Sequence, residues 1–241
     1  MEIAPIRTRA LEPPQDDLKA VLDESLTGLR ERDIVMITSK VVAIDQGRCV
    51  KQEGADRDAL TRAESDQVVE VEHPPYRFLL AVKHGTIFAY AGIDDSNSQE
   101  YYVLPPERPF AAAEEVGRHL RERHGVKEFG VVITDSHLTP LRRGVTGTSV
   151  GFWGIEPLRD YRGTPDIFGH LLEHTQTNIP DSLASICSMV MGEGDEQTPV
   201  AVVSNPGNVD FTDRPTGPRD IEIPLEEDLF APFLRKFGEK S

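Results

Sequence analysis

Two short stretches carry the oxygen donors that hard divalent cations prefer. Ala91-Gly92-Ile93-Asp94-Asp95-Ser96-Asn97 and Ile133-Thr134-Asp135-Ser136 each follow an apolar run that reads as a strand. Carboxylates and hydroxyls at strand ends suit Mg2+ or Mn2+. The same spacing fits an Asx turn over residues 94–97 and a helix N-cap at Asp135-Ser136, so pattern alone leaves both readings open. A second constellation, His170-Leu171-Leu172-Glu173-His174, matches H-x-x-E-H. On a helix its two histidines would share a face and hold zinc, given a third ligand from elsewhere. A zinc-dependent hydrolase built on His170, Glu173 and His174 is therefore one class to weigh, against a helix with two partly exposed histidines. Neither G-x-G-x-x-G nor G-x-x-x-x-G-K-[ST] occurs, which removes the Rossmann fingerprint and the P-loop. The glycine-rich run Gly144 to Gly154 suits close backbone approach to a ligand, or a closely packed, twisted strand pair.

The elements that must position these groups follow from periodicity. Leu18, Val21, Leu22, Leu26 and Leu29 recur at helical spacing between Asp16 and Arg30, and Ile34 to Thr38 is a β-branched strand. Phe78 to Val82 and Thr86 to Tyr90 flank Lys83-His84-Gly85, a tight hairpin turn. Ala111 to Arg123 predicts a helix closed by Gly125, and Phe129 to Thr134 a buried strand that delivers Asp135 and Ser136 at its carboxyl end. Asp181 to Met191 predicts a helix with Pro180 in its first turn, Val200 to Val203 a core strand, and Asp228 to Phe237 a terminal helix. Gln52 to Asp66, Ser96 to Pro109 and Asn205 to Pro218 read as loops. Strands and helices alternate without a uniform rhythm, which favours an α+β fold with mixed sheets over a doubly wound one.

The charge balance narrows the partners. Lys plus Arg number 26 and Asp plus Glu 41, so the 241-residue chain carries a formal −15, a field that repels phosphate backbones and anionic bilayers. Nucleic acid and membrane are not expected partners. Two cysteines, Cys49 and Cys187, are too few for a disulfide framework. No signal-peptide core or bilayer-length apolar run is present, so the expectation is a cytoplasmic protein.

A larger set of residues occurs in a telling order: His84-Gly85, Ala91-Gly92-Ile93-Asp94, Ser96-Asn97, Ile133-Thr134-Asp135-Ser136, then Pro140, Arg142 and Gly144. Gly154-Ile155, Pro157-Leu158, Asp160-Tyr161-Arg162-Gly163, Asp166, Gly169, Thr175 and Met191-Gly192-Glu193 complete it. In this the chain resembles the coenzyme F-420 gamma-glutamyl ligases over nearly its whole length, and Asn178-Ile179-Pro180-Asp181 resembles a divergent branch of folate-type glutamate ligases. The resemblance implies an α+β fold of two intertwined parts. Residues 1–241 would form one catalytic unit, or two subdomains whose boundary is unplaced, in a homodimer. It implies GTP-dependent joining of L-glutamate to a deazaflavin, pterin or folate-like carboxylate through an acyl phosphate. Two Mg2+ or Mn2+ ions would assist, with K+ as a further ion. By position, Asp94 and Asp135 correspond to ligands of one metal, and Ser136 and Glu193 to ligands of a second. Asp94, Asp135 and Arg142 correspond to the catalytic set, while Pro5 (within Ala4 to Arg7), Ser39, Asn97, Met191 and Gly192 correspond to nucleotide contacts.

Two departures stand out. Ala43-Ile44 replaces the family's Ser-Lys before Asp45-Gln46-Gly47, leaving Lys40 as the nearby cation. Thr139-Pro140-Leu141-Arg142 replaces Arg-Pro-Trp-Arg, one cation and one aromatic ring fewer, which points to a different acceptor. A non-catalytic nucleotide-binding homologue is the reading in which these changes have abolished chemistry.

Overall fold

The computed structural model describes residues 1–73, 75–235 and 238–239. In chain order its elements are β1 (Glu2–Ile6), α1 (Leu18–Ser25), β2 (Ile34–Thr38), α2 (Ser39–Asp45), β3 (Cys49–Lys51) and α3 (Arg57–Glu64). Next come β4 (Gln67–His73), β5 (Tyr76–Lys83), β6 (Thr86–Ala89), β7 (Tyr101–Val103), α4 (Pro109–His124), β8 (Gly130–Leu138) and β9 (Val145–Trp153). The chain ends with β10 (Leu158–Asp160), β11 (Gln176–Asn178), α5 (Ile179–Met191), β12 (Val200–Ser204), α6 (Ala231–Leu234) and β13 (Gly238–Glu239). This is the expected α+β class with mixed sheets. No helix among the described residues is long and apolar enough to cross a membrane.

A five-stranded sheet in the order β1-β12-β2-β8-β9 is the organising layer. Only β2 and β8 run parallel; the other neighbours are antiparallel. Because side chains alternate along a strand, each strand of this sheet feeds two cores. Val35, Ile37, Val131 and Ile133 face Leu18, Leu22, Val116 and Leu120 of α1 and α4 on one side. Ile34, Met36 and Val132 face Leu183, Ala184 and Cys187 of α5 on the other. Burial on both faces explains why these strands read as continuous apolar runs rather than as alternating ones. A second, four-stranded antiparallel sheet, β13-β4-β5-β6, carries the hairpin expected at Lys83-His84-Gly85. Lys83 pairs with Thr86, and His84 (φ 50) and Gly85 (φ 66) form its two-residue turn.

Several expectations need correction. The helix expected between Asp16 and Arg30 ends at Ser25, since Leu26 is extended, although Leu26 and Leu29 remain buried. The segment read as a loop from Gln52 to Asp66 contains α3, capped by the Asp56 carboxylate on the Asp58 and Ala59 N–H groups. Its polar sequence hid the helical period. The second expected loop, Ser96 to Pro109, contains β7, which pairs with β3; two three-residue strands are too short to show alternation. The terminal helix is only Ala231–Leu234, and Lys236 and Phe237 lie outside the described residues.

Close packing of helix on sheet rests on small residues. Gly117 of α4 lies so close to Trp153 that a Cβ there would sit 2.2 Å from the indole ring, and that ring is 4% exposed with Arg121 stacked 4.4 Å from its centroid. Helix propensity favours Ala over Gly by about 1 kcal/mol, whereas overpacking a filled core costs about 1–3 kcal/mol. Gly117→Ala should therefore be destabilising. Chemical denaturation should show a lower midpoint, and the emission of the single tryptophan, Trp153, should change in the native state; an unchanged or raised midpoint would contradict this packing.

Candidate active site

The sheet's one parallel pair places the site. Thr38 at the end of β2 lies opposite Thr134 of β8, so the residues that follow, Ser39-Lys40 and Asp135-Ser136, emerge side by side. Crevices beyond the carboxyl ends of parallel strands are where such sheets bind ligands. Thr38 N–H also bonds to the Pro199 carbonyl (2.9 Å), which brings the 192–199 loop after α5 to the same edge. The helix N-cap reading of Asp135-Ser136 is wrong: β8 continues to Leu138, and a register irregularity between Ile133 and Thr134 interrupts its pairing with β9. A strand can continue here because β9 continues beside it. The Gly144 to Gly154 run supplies β9, and its glycines pack against backbone: Cβ atoms at Gly147 and Gly154 would lie 2.3 Å and 2.2 Å from the Ala184 and Phe129 carbonyl oxygens.

Asp135 accepts a hydrogen bond from the Ser39 hydroxyl (2.7 Å, Oδ2) and one from Ser136 N–H (2.7 Å, Oδ1). Burial, reinforced by the negative charge of Asp94, outweighs these bonds and pushes the Asp135 carboxyl up to about 6. Asp94 arrives from the second sheet. After β6 the chain makes a left-handed turn, Tyr90 (φ 52), Ala91 (φ 56) and Gly92 (φ 80), and for the two residues with side chains this conformation costs about 1–2 kcal/mol each. The turn sets Gly92 against Asp135, whose Oδ2 lies 3.7 Å from where a Cβ on Gly92 would be. Asp94 is then anchored by reciprocal backbone bonds with Val103 (3.0 and 2.8 Å). Its Oδ1 accepts from Ser96 N–H (2.7 Å), which is the Asx turn anticipated. Its Oδ2 meets Lys40 Nζ at 2.7 Å, and the same ammonium donates to the Ser96 carbonyl (2.8 Å) and hydroxyl (2.9 Å). Burial opposes the charge on Asp94, yet the hydrogen bond and charge of Lys40 with the Ser96 bonds hold it below the usual carboxylate range.

These groups border a cleft of about 500 Å³. Ser39, Asp94, Asn97, Asp135, Ser136, Met191, Gly192 and Glu193 all line it. Ser136 Oγ donates to Glu193 Oε1 (2.6 Å), and Asn97 Nδ2 to the Gly194 carbonyl (2.9 Å). Gly192 (φ 82) turns the chain after α5, and Met191 O accepts from Thr198 Oγ1 (2.5 Å). Two expected residues lie elsewhere. Pro5 is on β1 opposite Ala201, and the N-terminal segment that reaches the cleft is Thr8–Leu11. Arg142 is exposed at the tip of the β8–β9 hairpin, beside Leu141, whose side chain is fully exposed. Ile44 does line the cleft, buried, while Lys40 supplies the cation there.

Sequence reading did not identify Arg9, Thr134 or Gln197, which also line the cleft. Thr134 is buried and its hydroxyl has no partner. Only the position of Thr134 beside Asp135 offered a signal. Among the described residues, no three His, Cys, Asp or Glu side chains are gathered into a ready metal cage. The oxygen-only donor set of Asp94, Asp135, Ser136 and Glu193 nonetheless fits the ligand chemistry of Mg2+ or Mn2+.

The H-x-x-E-H expectation fails on geometry. Residues 163–172 form a tight loop, with Pro165 bridged to Leu171 and Gly163 and Leu172 bonded through their backbones (2.8 Å from Gly163 N–H). Leu172 N–H bonds to the Thr164 carbonyl (2.9 Å) and Tyr161 N–H to the Thr175 carbonyl (3.0 Å), so this stretch pairs across the loop rather than coiling into a helix, and Asp166 accepts from the His170 backbone N–H. The side chains of His170 and His174 are 85% and 94% exposed, with no shared helical face on which to hold zinc.

Comparison with known proteins identifies the family. The family model described as F420-0:Gamma-glutamyl ligase matches residues 5–205. Among curated relatives, a protein of Methanopyrus kandleri named coenzyme F420:L-glutamate ligase is 35% identical, covering 84% of this chain and 86% of the relative. Proteins of the same name from Methanocaldococcus jannaschii (32%; 84% and 78%) and Halorubrum lacusprofundi (34%; 78% and 80%) are similar over comparable spans. On the breadth of that match, the chain belongs to the F420-0:gamma-glutamyl ligase family.

Proposed function

We propose that this protein is a GTP- and divalent-cation-dependent gamma-glutamyl ligase that joins L-glutamate to a carboxylate-bearing acceptor of deazaflavin, pterin or folate-like type. The observation that carries the reading is the convergence of Asp94, Asp135, Ser136 and Glu193, from well-separated stretches of sequence, on one cleft in a chain of this family. Forming an amide from a carboxylate needs a leaving group. An acceptor oxygen attacks the γ-phosphorus of GTP, the bond to the GDP oxygen breaks, and an acyl phosphate results. The amine of glutamate then attacks the acyl carbon and inorganic phosphate departs with the bonding pair.

The chain's residues divide this work. Ser39 and Asn97, with the backbone at Met191-Gly192 and the Thr8–Leu11 segment, form the walls against which the nucleotide lies. Asp94 and Asp135 would hold one cation, and Ser136 with Glu193 would hold the other. When bound, Mg2+ or Mn2+ neutralises the triphosphate and the charge that develops during transfer. Lys40, paired with Asp94 in the free protein, exchanges that carboxylate for phosphate oxygens, which compensates for Ile44 at a position where the family has lysine. Arg142 and Leu141, exposed on the hairpin that extends from Asp135-Ser136, face the acceptor rather than the phosphates.

With GTP, Mn2+, L-glutamate and a deazaflavin, pterin or folate carboxylate as acceptor in turn, mass spectrometry should show for at least one of them a product heavier by a glutamyl unit, with GDP and phosphate released in equal amounts. Absence of GTP turnover with deazaflavin, pterin and folate acceptors alike would contradict the proposal and favour a protein that has lost its chemistry.

Asp94→Asn and Asp135→Asn should each lower turnover and Mn2+ affinity by more than about 100-fold, since changes one sphere out from a metal already cost about 10–100-fold. In EDTA at neutral pH the two variants should differ. Asp135→Asn should raise the melting temperature, because a desolvated carboxylate facing Asp94 becomes a neutral amide whose oxygen still accepts from Ser136 N–H while its NH2 donates to the Ser39 hydroxyl. Asp94→Asn should stay within about 1 kcal/mol of the parent, since its pair with Lys40 is part-exposed. Parental Mn2+ binding in both variants would remove these residues from the site.

A further inference from the structure

We propose that Arg57, at the start of α3 and outside the cleft, is the positioning residue that holds Asp94 in its metal-binding pose. The inference rests on the reading of Asp94 as a cation ligand and adds a residue to it. Arg57 meets the left-handed Tyr90–Gly92 turn and its continuation at three points, and β7 at a fourth. Its guanidinium stacks 4.3 Å from the Tyr90 ring centroid and 5.6 Å from that of Tyr102. Its Nη2 donates to the Ile93 carbonyl at 2.8 Å, and its Nη1 lies 3.5 Å from the Asp95 carboxylate. Tyr90, Ile93 and Asp95 bracket Asp94 in the chain, and Tyr102 precedes Val103, whose backbone is bonded to Asp94. One planar cation therefore fixes both the turn before Asp94 and the strand beside it.

The turn needs such a clamp. Tyr90 and Ala91 both sit at positive φ, and strained conformations of this kind persist only where the surroundings over-determine them. Released, residues 90–92 would relax toward ordinary backbone, and Gly92 and Asp94 would leave Asp135. Arg57 is not placed for the most favourable hydrogen bonding: its Nε is buried without a partner. A buried unsatisfied donor lowers stability, a cost set against the contacts that the same guanidinium makes with Tyr90, Ile93 and Asp95. Lysine could not replace it, because an ammonium has no planar face to lay over the Tyr90 ring while donating from separate nitrogens to the Ile93 carbonyl and toward Asp95.

The test is a double-mutant cycle on Mn2+ binding, read from the free-Mn2+ electron paramagnetic resonance signal of the full chain well below its melting temperature. Arg57→Met, which keeps the aliphatic stem, should raise the Mn2+ dissociation constant about 10–100-fold. Added to Asp94→Asn, it should produce no further rise. Arg57→Lys should be weakened in the same direction and serves if Arg57→Met does not fold. An unchanged Mn2+ affinity in the Arg57 variants, with Asp94→Asn clearly weakened, would overturn this inference alone. So would an equal further loss on the Asp94→Asn background. Unchanged Mn2+ affinity in Asp94→Asn itself would overturn the ligand reading and this inference with it.

Discussion

Two carboxylates that repel one another must be kept at one cleft, and the rest of the structure answers to that constraint. Asp135 is fixed in the middle of the central sheet's longest strands, while Asp94 is delivered by a turn from a different sheet. The chain as a whole is acidic by fifteen charges, so no general positive field eases their approach. Compensation is local. The Ser39 hydroxyl and the Ser136 N–H serve Asp135, and the ammonium of Lys40 serves Asp94. That balance suffices for the free protein and leaves Asp135 poorly stabilised as an anion. A cleft so arranged has most to gain from divalent cations.

The backbone geometry follows from the same requirement. The parallel pairing of β2 with β8 is what puts Ser39-Lys40 beside Asp135-Ser136, and the antiparallel partner β12 brings in the loop that carries Glu193. Gly92 allows Asp135 to lie against the turn, and Gly147 and Gly154 allow β9 to sit tightly on α5 and β8. Strain is tolerated at Tyr90 and Ala91 because neighbouring elements hold them: Tyr90 Oη bonds to the Arg77 carbonyl (3.0 Å), and Ala91 is fully buried. Ser39, Asp135 and Ser136 thus sit on regular elements, whereas Asp94 and Glu193 lie on a turn and a loop that backbone and side-chain hydrogen bonds hold in place.

Much of this was legible in the sequence, for identifiable reasons. The buried strands Ile34–Thr38 and Val200–Ser204 and the helix Pro109–His124 with its glycine cap announce themselves through apolar runs and cap chemistry. The site segments were visible as donor-rich stretches after apolar runs, although their identification as one site came from the family resemblance. What was not legible depends on tertiary contact. The α3 helix is too polar to show a stripe, β3 and β7 are too short to alternate, and the Lys40 to Asp94 pair joins residues far apart in sequence. The H-x-x-E-H pattern misled because spacing implies metal geometry only on a helix, and there the backbone of Leu171 and Leu172 pairs across a loop with Pro165 and Thr164 instead.

The most direct test of the account is anomalous diffraction from crystals grown with Mn2+ and a non-hydrolysable GTP analogue. The account predicts two manganese peaks in the cleft, one shared by the Asp94 and Asp135 carboxylates and one at Ser136 and Glu193, with the Lys40 ammonium moved from Asp94 onto phosphate oxygens. Nucleotide bound elsewhere, or bound in the cleft with no manganese at these residues and the Lys40 to Asp94 pair intact, would contradict it.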